Sequence, residues 1–560
     1  MNSNESGHVE SVNQQTLIPI DTSEPCVERS QYRQTFPIAN IKHSISSDQE
    51  LLLPINVREW FNENDFIYIL VAILDLLDYS KFLERYRPDG IGASFYHPKN
   101  MLGIILYSIS RGEYSSRKNE RNCITDIGYW LAGGRITPDH STIYRFKKEF
   151  KEEFKDIFHQ IAQIYLELGL SQFGVIAIDG SKFGCKASLS SNHSVKWIQT
   201  QFQKILEESM NVDESDNEKG IPSEVEQNTL PESLDTKKKQ LEKLNDAMRV
   251  LQEERQKEAE KQQALIDERN AEEEATGKKH RGRKLTEPQF TPLSSDKVNI
   301  TDPESRIMKG QKGFCQGYNG QILVDENQVV LAAHLTNEQT DHGQLEPLFA
   351  QFIDLLMSAG ITQLPHDVLA DAGYCNYDCI LSENRDGPRL LLATSKEYKI
   401  PESDTFDGAL YQMDEICRRL GKFAPPNPIL AEIAIFVWHT FIDGPRPVQP
   451  EGVAKSVMAA RIRSSDGREL YRKRKVMVEP VFGQIKHSRG FKRFTMKGKE
   501  SCSGEFALVI SCHNLVKFKN LGVLELLKSG KRKLKRFAED TVGVCSQSVQ
   551  KNLLPGINNI

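Results

Sequence analysis

The sequence predicts an α/β protein in which a mixed sheet flanked by helices follows an all-helical N-terminal domain and is split by a helical or coiled-coil insertion. Three observations carry this. Apolar residues recur at helical spacing from about Leu51 to Leu170. Short apolar runs of strand length follow from Phe173 onward, and a long charge-rich segment with heptad-like leucines interrupts them. A chain of 560 residues with 39% hydrophobic content is long enough for two or three domains with a sizeable core.

Residues 1–48 are polar without periodicity and read as a poorly ordered arm. In the helical domain of residues 49–170, Asn64-Asp65 can cap a helix from Phe66 to Leu77, and Pro98 can open the run Met101 to Tyr107. Ser115-Ser116 can cap a third helix. Asp139-His-Ser141 precedes a basic amphipathic helix that can run from Thr142 to Leu168. Short helices joined by tight turns suit a helix-turn-helix type of DNA-binding domain.

The strand-rich region covers residues 171–186, 299–398 and 454–530. Gly174 to Gly180 gives a first strand. Gln316 to Asp325 and Val329 to Leu335 form an antiparallel hairpin around Glu326-Asn-Gln328. Asp341 is placed to cap a helix through Leu345, Leu348, Phe352, Leu355 and Leu356 to Gly360. Val368 to Asp371 and Arg389 to Ala393 add two buried strands. In the insertion at residues 187–298, Leu234, Leu241, Leu244, Met248 and Leu251 space as a short coiled coil or helical hairpin. Lys278-Lys-His-Arg-Gly-Arg-Lys284 reads as a solvated linker, with minor-groove contact as the less favoured reading. A second insertion, residues 399–453, shows no readable chemistry, and residues 531–560 form a basic tail.

The net charge of −5 hides a strong asymmetry. Glu207 to Glu274 holds 21 acidic against 10 basic residues, whereas Arg472 to Arg536 holds 18 basic against 4 acidic ones. The second stretch also contains Phe482, Phe491, Phe494 and Phe518, as a phosphate-tracking surface with a packed underside requires. The ten cysteines form no Cys-x-x-Cys pair, so a zinc site is disfavoured and free thiols are expected. No apolar run approaches the roughly 20 residues of a membrane span. Met1 to His8 lacks the basic and apolar regions of a secretory signal, so a cytoplasmic location is expected.

Within the basic stretch, Tyr471 to Lys486 contains one acid, Glu479. On a continuous helix Tyr471, Lys475, Glu479 and Lys486 would share a face, although Pro480 favours a kink or a helix start there. Asp179 and Asp371 each end an apolar run, as a carboxylate at the end of a buried strand does. Three carboxylates from distant parts of the chain can converge on divalent cations, and their hard oxygens suit Mg²⁺ or Mn²⁺. Such a site supports phosphoryl transfer on a nucleic-acid backbone.

These residues occur in blocks that resemble the DDE transposases of bacterial insertion sequences. The blocks are Phe95-Tyr-His-Pro98, Ser115-Ser-Arg117, Leu131-Ala-Gly-Gly134, Pro138 to Ile143, Asp179-Gly-Ser-Lys182 and Thr301 to Arg306. Gly317-Tyr-Asn319, Ala370 to Tyr374, Val478 to Lys486 and His513-Asn-Leu515 complete them. The resemblance implies an RNase H-like catalytic domain behind an N-terminal domain with a Tyr-His-Pro box. It implies that Asp179, Asp371 and Glu479 bind Mg²⁺ or Mn²⁺ and are catalytic. It also implies that Tyr471, Arg474 and Lys486 are the signature residues around the glutamate, with Lys475 as the alternative at the arginine position. Tyr471, Arg474, Lys475, Lys486, Arg489, Lys492 and Arg493 are the expected contacts to double-stranded DNA. Expected partners are transposon ends and target DNA, bound as a homodimer, in a bacterial cytoplasm with nucleoid association. A nuclease that cuts without joining, and a DNA-binding derivative, are the alternative readings.

Overall fold

The computed structural model describes residues 41–42, 57–87, 94–217, 232–277, 285–310, 313–375, 388–394, 458–459 and 461–528. Most of the N-terminal arm, the Lys278 to Lys284 cluster, the 399–453 insertion and the basic tail lie outside them.

Local signals start the N-terminal helices where the sequence places them. Asp65 caps α1 (Phe66–Leu74), its carboxylate accepting from the Ile67 amide at 3.0 Å, and the helix ends three residues short of Leu77. After a short α2 (Ser80–Leu83), α3 (Pro98–Ser110) opens with proline in its first turn. His97 caps it through Nδ1, which accepts from the Lys99 amide. Next come α4 (Ser116–Thr125), α5 (Ile127–Gly133) and α6 (His140–Glu149), the last capped by Asp139. The expected run from Thr142 to Leu168 is two helices, because Phe150 leaves helical geometry and α7 (Lys151–Glu167) begins after it. Phe150 is buried against Phe82, Phe146 and Tyr86, so a packing demand sets this break. The two-residue strands β1 (Ile41–Lys42) and β2 (Phe95–Tyr96) pair in parallel.

The main sheet holds β3 (Val175–Gly184), β6 (Arg306–Gly310), β7 (Gly313–Asp325), β8 (Val330–Thr336), β9 (Asp367–Ala370) and β10 (Arg389–Leu392). Its order is β10-β9-β3-β7-β6, with β8 also on β7. β10, β9 and β3 run parallel, and β3, β7, β6 and β8 pair antiparallel, so the sheet is mixed. The expected hairpin around residues 326–328 is present, and Gln328 turns it at φ 62°. β6 lacked a readable pattern, because only Met308 among its five residues is buried. α10 (Leu345–Ser358) follows β8, and here one expectation fails. Gln344, not Asp341, is the capping residue, and the Asp341 side chain turns away into the sheet.

The insertion leaves and returns through β4 (Asn192–Ser194) and β5 (Lys297–Asn299), which pair antiparallel. Between them α8 (Val195–Asn217) and α9 (Glu232–Thr276) close a small core of Val195, Ile198, Ile205, Leu244, Ala247, Leu251 and Val298. Leu244 and Leu251 of the heptad pattern therefore face α8 in a helical hairpin. At the C-terminal side lie α11 (Ser465–Met477), α12 (Glu479–Gly483), a π-helical turn at Gln484–Ser488, α13 (Lys499–Asn520) and α14 (Val523–Lys528). α13 carries fourteen buried residues and packs between α7 and β8. Tyr165 stacks on Phe518 and donates to Asp325 at 2.5 Å, which ties α7 to both α13 and β7. One apolar core accordingly runs from Ile67 to Val523.

Candidate active site

β3 and β9 are parallel neighbours, with Ala177 opposite Leu369. Asp179 and Asp371, each two residues further on, therefore come side by side where β9 ends. Asp179 still lies within β3, opposite Ile322 of β7, while β9 stops at Ala370 and frees Asp371. Glu479 opens α12 after the chain passes through Val478, a break consistent with Pro480 in the first turn. Backbone amides fix the two aspartates: Gly180 N–H donates to Asp179 Oδ1 at 3.0 Å and Gly373 N–H to Asp371 Oδ1 at 2.9 Å.

One side chain joins all three acids. Arg474 Nη2 is 3.0 Å from Asp179 Oδ1 and 3.8 Å from Asp371 Oδ2, and Nη1 is 3.5 Å from Glu479 Oε1. The arginine is 11% exposed, and among the described residues its buried Nε has no hydrogen-bond partner. Burial pushes the Asp179 carboxyl up to about 6, with Arg474 opposing and Asp371 adding to the rise. Asp371 is likewise raised by burial against the pull of Arg474. Burial alone would disfavour the guanidinium charge, but Asp179, Tyr471, Asp371 and Glu479 outweigh it.

Around this centre stand polar groups that the sequence reading did not assign to the site. Asp341 Oδ1 accepts from Asn319 Nδ2 and Gln321 Nε2 at 2.8 Å each, and from Lys182 Nζ at 3.1 Å. Tyr374 donates to Gln321 Oε1, and burial holds its phenol well above the ordinary range. Asn319 and Gln321 alternate along β7 on one face, a polar period-two pattern that could have flagged them.

The expected DNA contacts divide by placement. Lys475 and Lys492 are exposed. Lys486 is half-buried over the Phe183 ring, donating to Ser181 Oγ at 2.7 Å and to the Lys182 carbonyl at 2.6 Å. Burial pulls its ammonium down to about 8. Tyr471 packs partly buried against the core. Arg489 is buried at 7% exposure beside His513 Nδ1, so its guanidinium is not presented to solvent. Arg493 is also exposed, with Nε and Nη2 donating to the Cys185 and Ala187 carbonyls. Tyr471 and Lys475 lie four apart on α11, Glu479 follows at the start of α12, and Arg474 is the residue that meets the glutamate.

The donor set fits a hard divalent cation, since three carboxylates surround one cationic group. Among the described residues no three such side chains stand close enough to hold an ion as they are, and the Arg474 guanidinium lies between them. No helix of the described residues is long and apolar enough to cross a membrane.

Comparison with known families finds two matches. A model described as Transposase DDE domain matches residues 447–519, which include Arg474, Glu479 and Lys486. A model described as Transposase domain (DUF772) matches residues 55–149, the stretch of α1 to α6. No curated protein and no solved structure matches the chain. Two transposase models on separate stretches, in the order that the sequence blocks require, support a DDE transposase of an insertion sequence.

Proposed function

We propose that this transposase binds the terminal inverted repeats of its element and, using Mg²⁺ or Mn²⁺, cuts and joins DNA through Asp179, Asp371 and Glu479. The observation that carries the reading is the gathering of three carboxylates, from residues 300 positions apart in the chain, around one guanidinium. Nothing in a purely structural role calls for three acids at one end of a sheet, because each buried or half-buried carboxylate costs desolvation.

When bound, a divalent cation supplies Lewis-acid stabilisation to the attacking and leaving oxygens of an in-line displacement at phosphorus. Asp179 and Asp371 would hold it from the sheet, and Glu479 would close the site from α12. Arg474 exchanges its carboxylate contacts for a backbone phosphate, where its planar fork is matched to the oxygens. Lys486 is already fixed by Ser181 and the Lys182 carbonyl, so it meets a phosphate next to Asp179 without further ordering. The attacking group is water in the cleavage step and the freed 3′-hydroxyl in the joining step. Joining two ends calls for at least two protomers on DNA. The RNase H-like fold follows from the same reading, supported by a mixed sheet whose parallel β3 and β9 carry the two aspartates.

Asp179→Asn, Asp371→Asn and Glu479→Gln should each lower metal-dependent cleavage and strand transfer of end DNA by about a thousand-fold or more while leaving DNA binding largely intact. Single-turnover cleavage and joining, alongside binding by the same variants, check this. A variant that cuts at near the wild-type rate removes its residue from the site.

A further inference from the structure

Asp341 sits in the loop between β8 and α10, where the pattern Asp-His-Gly-Gln before an apolar helix reads as a cap. The backbone does close there, with the Gln344 amide donating to the Asp341 carbonyl at 3.2 Å. The carboxylate is directed elsewhere. Asn319 and Gln321, both fully buried on β7, and Lys182 on β3 all donate to one oxygen, Oδ1. Among the described residues nothing donates to Oδ2.

Two glycines show where the carboxylate lies. A Cβ on Gly373 would stand 3.1 Å from Asp371 Oδ1 and 3.3 Å from Asp341 Oδ2, so both acids border one small space that a side chain would fill. A Cβ on Gly180, next to Asp179, would stand 2.5 Å from Asp341 Oδ1. Asp341 thus approaches the backbone beside both aspartates of the sheet, and its charge contributes to the raised carboxyls of each, after burial and Arg474. A simple ion pair with Lys182 would explain the Oδ1 contacts. It leaves unexplained why two buried amides hold the group with its other oxygen beside Gly373, where Asp371 Oδ1 also lies.

We propose that Asp341 is a fourth carboxylate of the divalent-cation site, its free Oδ2 coordinating the cation, or accepting a hydrogen bond from water bound to it, on the side of Asp371. This rests on the reading of Asp179, Asp371 and Glu479 as a metal site. The two bonded amides fix the carboxylate in one rotamer, so that it reaches the site without ordering cost on cation uptake.

The test is Mn²⁺ titrated into the full-length protein without DNA, with free Mn²⁺ read by electron paramagnetic resonance. Asp341→Asn keeps an oxygen for Asn319 and Gln321 while replacing the free oxygen by a donor. It should weaken Mn²⁺ binding about ten-fold or more, in the range of supporting residues at metal sites. Lys182→Met removes the ion-pair partner but leaves the carboxylate, and should keep or tighten Mn²⁺ binding. Thermal melts of both variants report on folding. Equal losses of affinity and melting temperature in the two variants would make Asp341 a structural ion-pair residue and overturn the proposal. Wild-type affinity in Asp341→Asn, together with lost affinity in Asp179→Asn, would overturn this proposal alone. Absence of Mn²⁺ binding in the wild-type protein would overturn the metal site as a whole.

Discussion

A single guanidinium facing three carboxylates makes Arg474 the residue on which the chemistry of this site turns. Without it, three anions at a partly buried sheet end would repel one another and protonate. The Asp179 carboxyl, raised to about 6, holds its proton up to that pH, and its raised state favours the folded protein at low pH and ceases to do so as pH rises through 6. A cation needs the ionised form, so Mn²⁺ affinity should fall by about ten-fold per pH unit below 6 and level off above about 7. Titrations from pH 5 to 8 check this, and a flat profile would remove Asp179 from the cation site. Arg474→Gln removes both a competing charge and the group that lowers the acids. It should tighten Mn²⁺ binding at pH 8 and move the inflection to higher pH. The three acids were legible because two end apolar runs and one stands alone among basic residues. Asp341 was not, since an Asp four residues before an apolar helix looks the same whether it caps the helix or turns into the sheet, and only β7 decides between them.

At the scale of elements, helix starts were readable, as at Asp65, Pro98 and Asp139, because each depends on residues within one turn. Breaks set by packing were not: Phe150 ends α6 on account of aromatic partners as far off as Phe82 and Tyr86. β6 was missed because its residues 306–310 alternate weakly and gain a strand only by pairing with Gly313 to Gly317. Helix crossing is similarly hidden in the sequence. A Cβ on Gly103 would lie 2.0 Å from the Ala132 carbonyl oxygen, and one on Gly133 would lie 2.6 Å from the Ile104 side chain, so α3 and α5 meet through two glycines. Gly103→Ala should push these helices apart and cost about 3 kcal/mol. Gly483→Ala, where a Cβ meets nothing within 4 Å and φ is −58°, should be neutral or gain up to about 1 kcal/mol. Thermal or denaturant unfolding of the pair checks the contrast, and equal effects would mean that the α3–α5 contact is not close-packed.

For the whole molecule, the insertion and the basic C-terminal stretch carry opposite charge, and the fold suggests how separable they are. Ser194 is opposite Lys297 across β4 and β5, so the two ends of the insertion already stand where a short turn could join them. Between those ends α8 and α9 bury their apolar faces mainly against each other, apart from the core that holds β3, β7 and β9. Ties to the sheet are polar and few, such as the Arg306–Glu254 ion pair and Asn192 Nδ2 to Gln316 Oε1 at 2.9 Å. Replacing residues 195–296 by a short Gly-rich turn should therefore leave the sheet folded and the three acids in place. It also removes the segment with 21 acidic and 10 basic residues, which repels a polyanion that the Arg472 to Arg536 stretch attracts. The shortened protein should bind non-specific duplex DNA more tightly at low salt, with the gain fading as ionic strength approaches about 1 M, where screening acts within roughly 3 Å. Mn²⁺ binding measured beside it reports whether the site survived. Loss of the fold would show that the insertion supports the sheet, and unchanged DNA affinity in a folded protein with intact Mn²⁺ binding would show that its acidic charge lies too far from the DNA path to act on it.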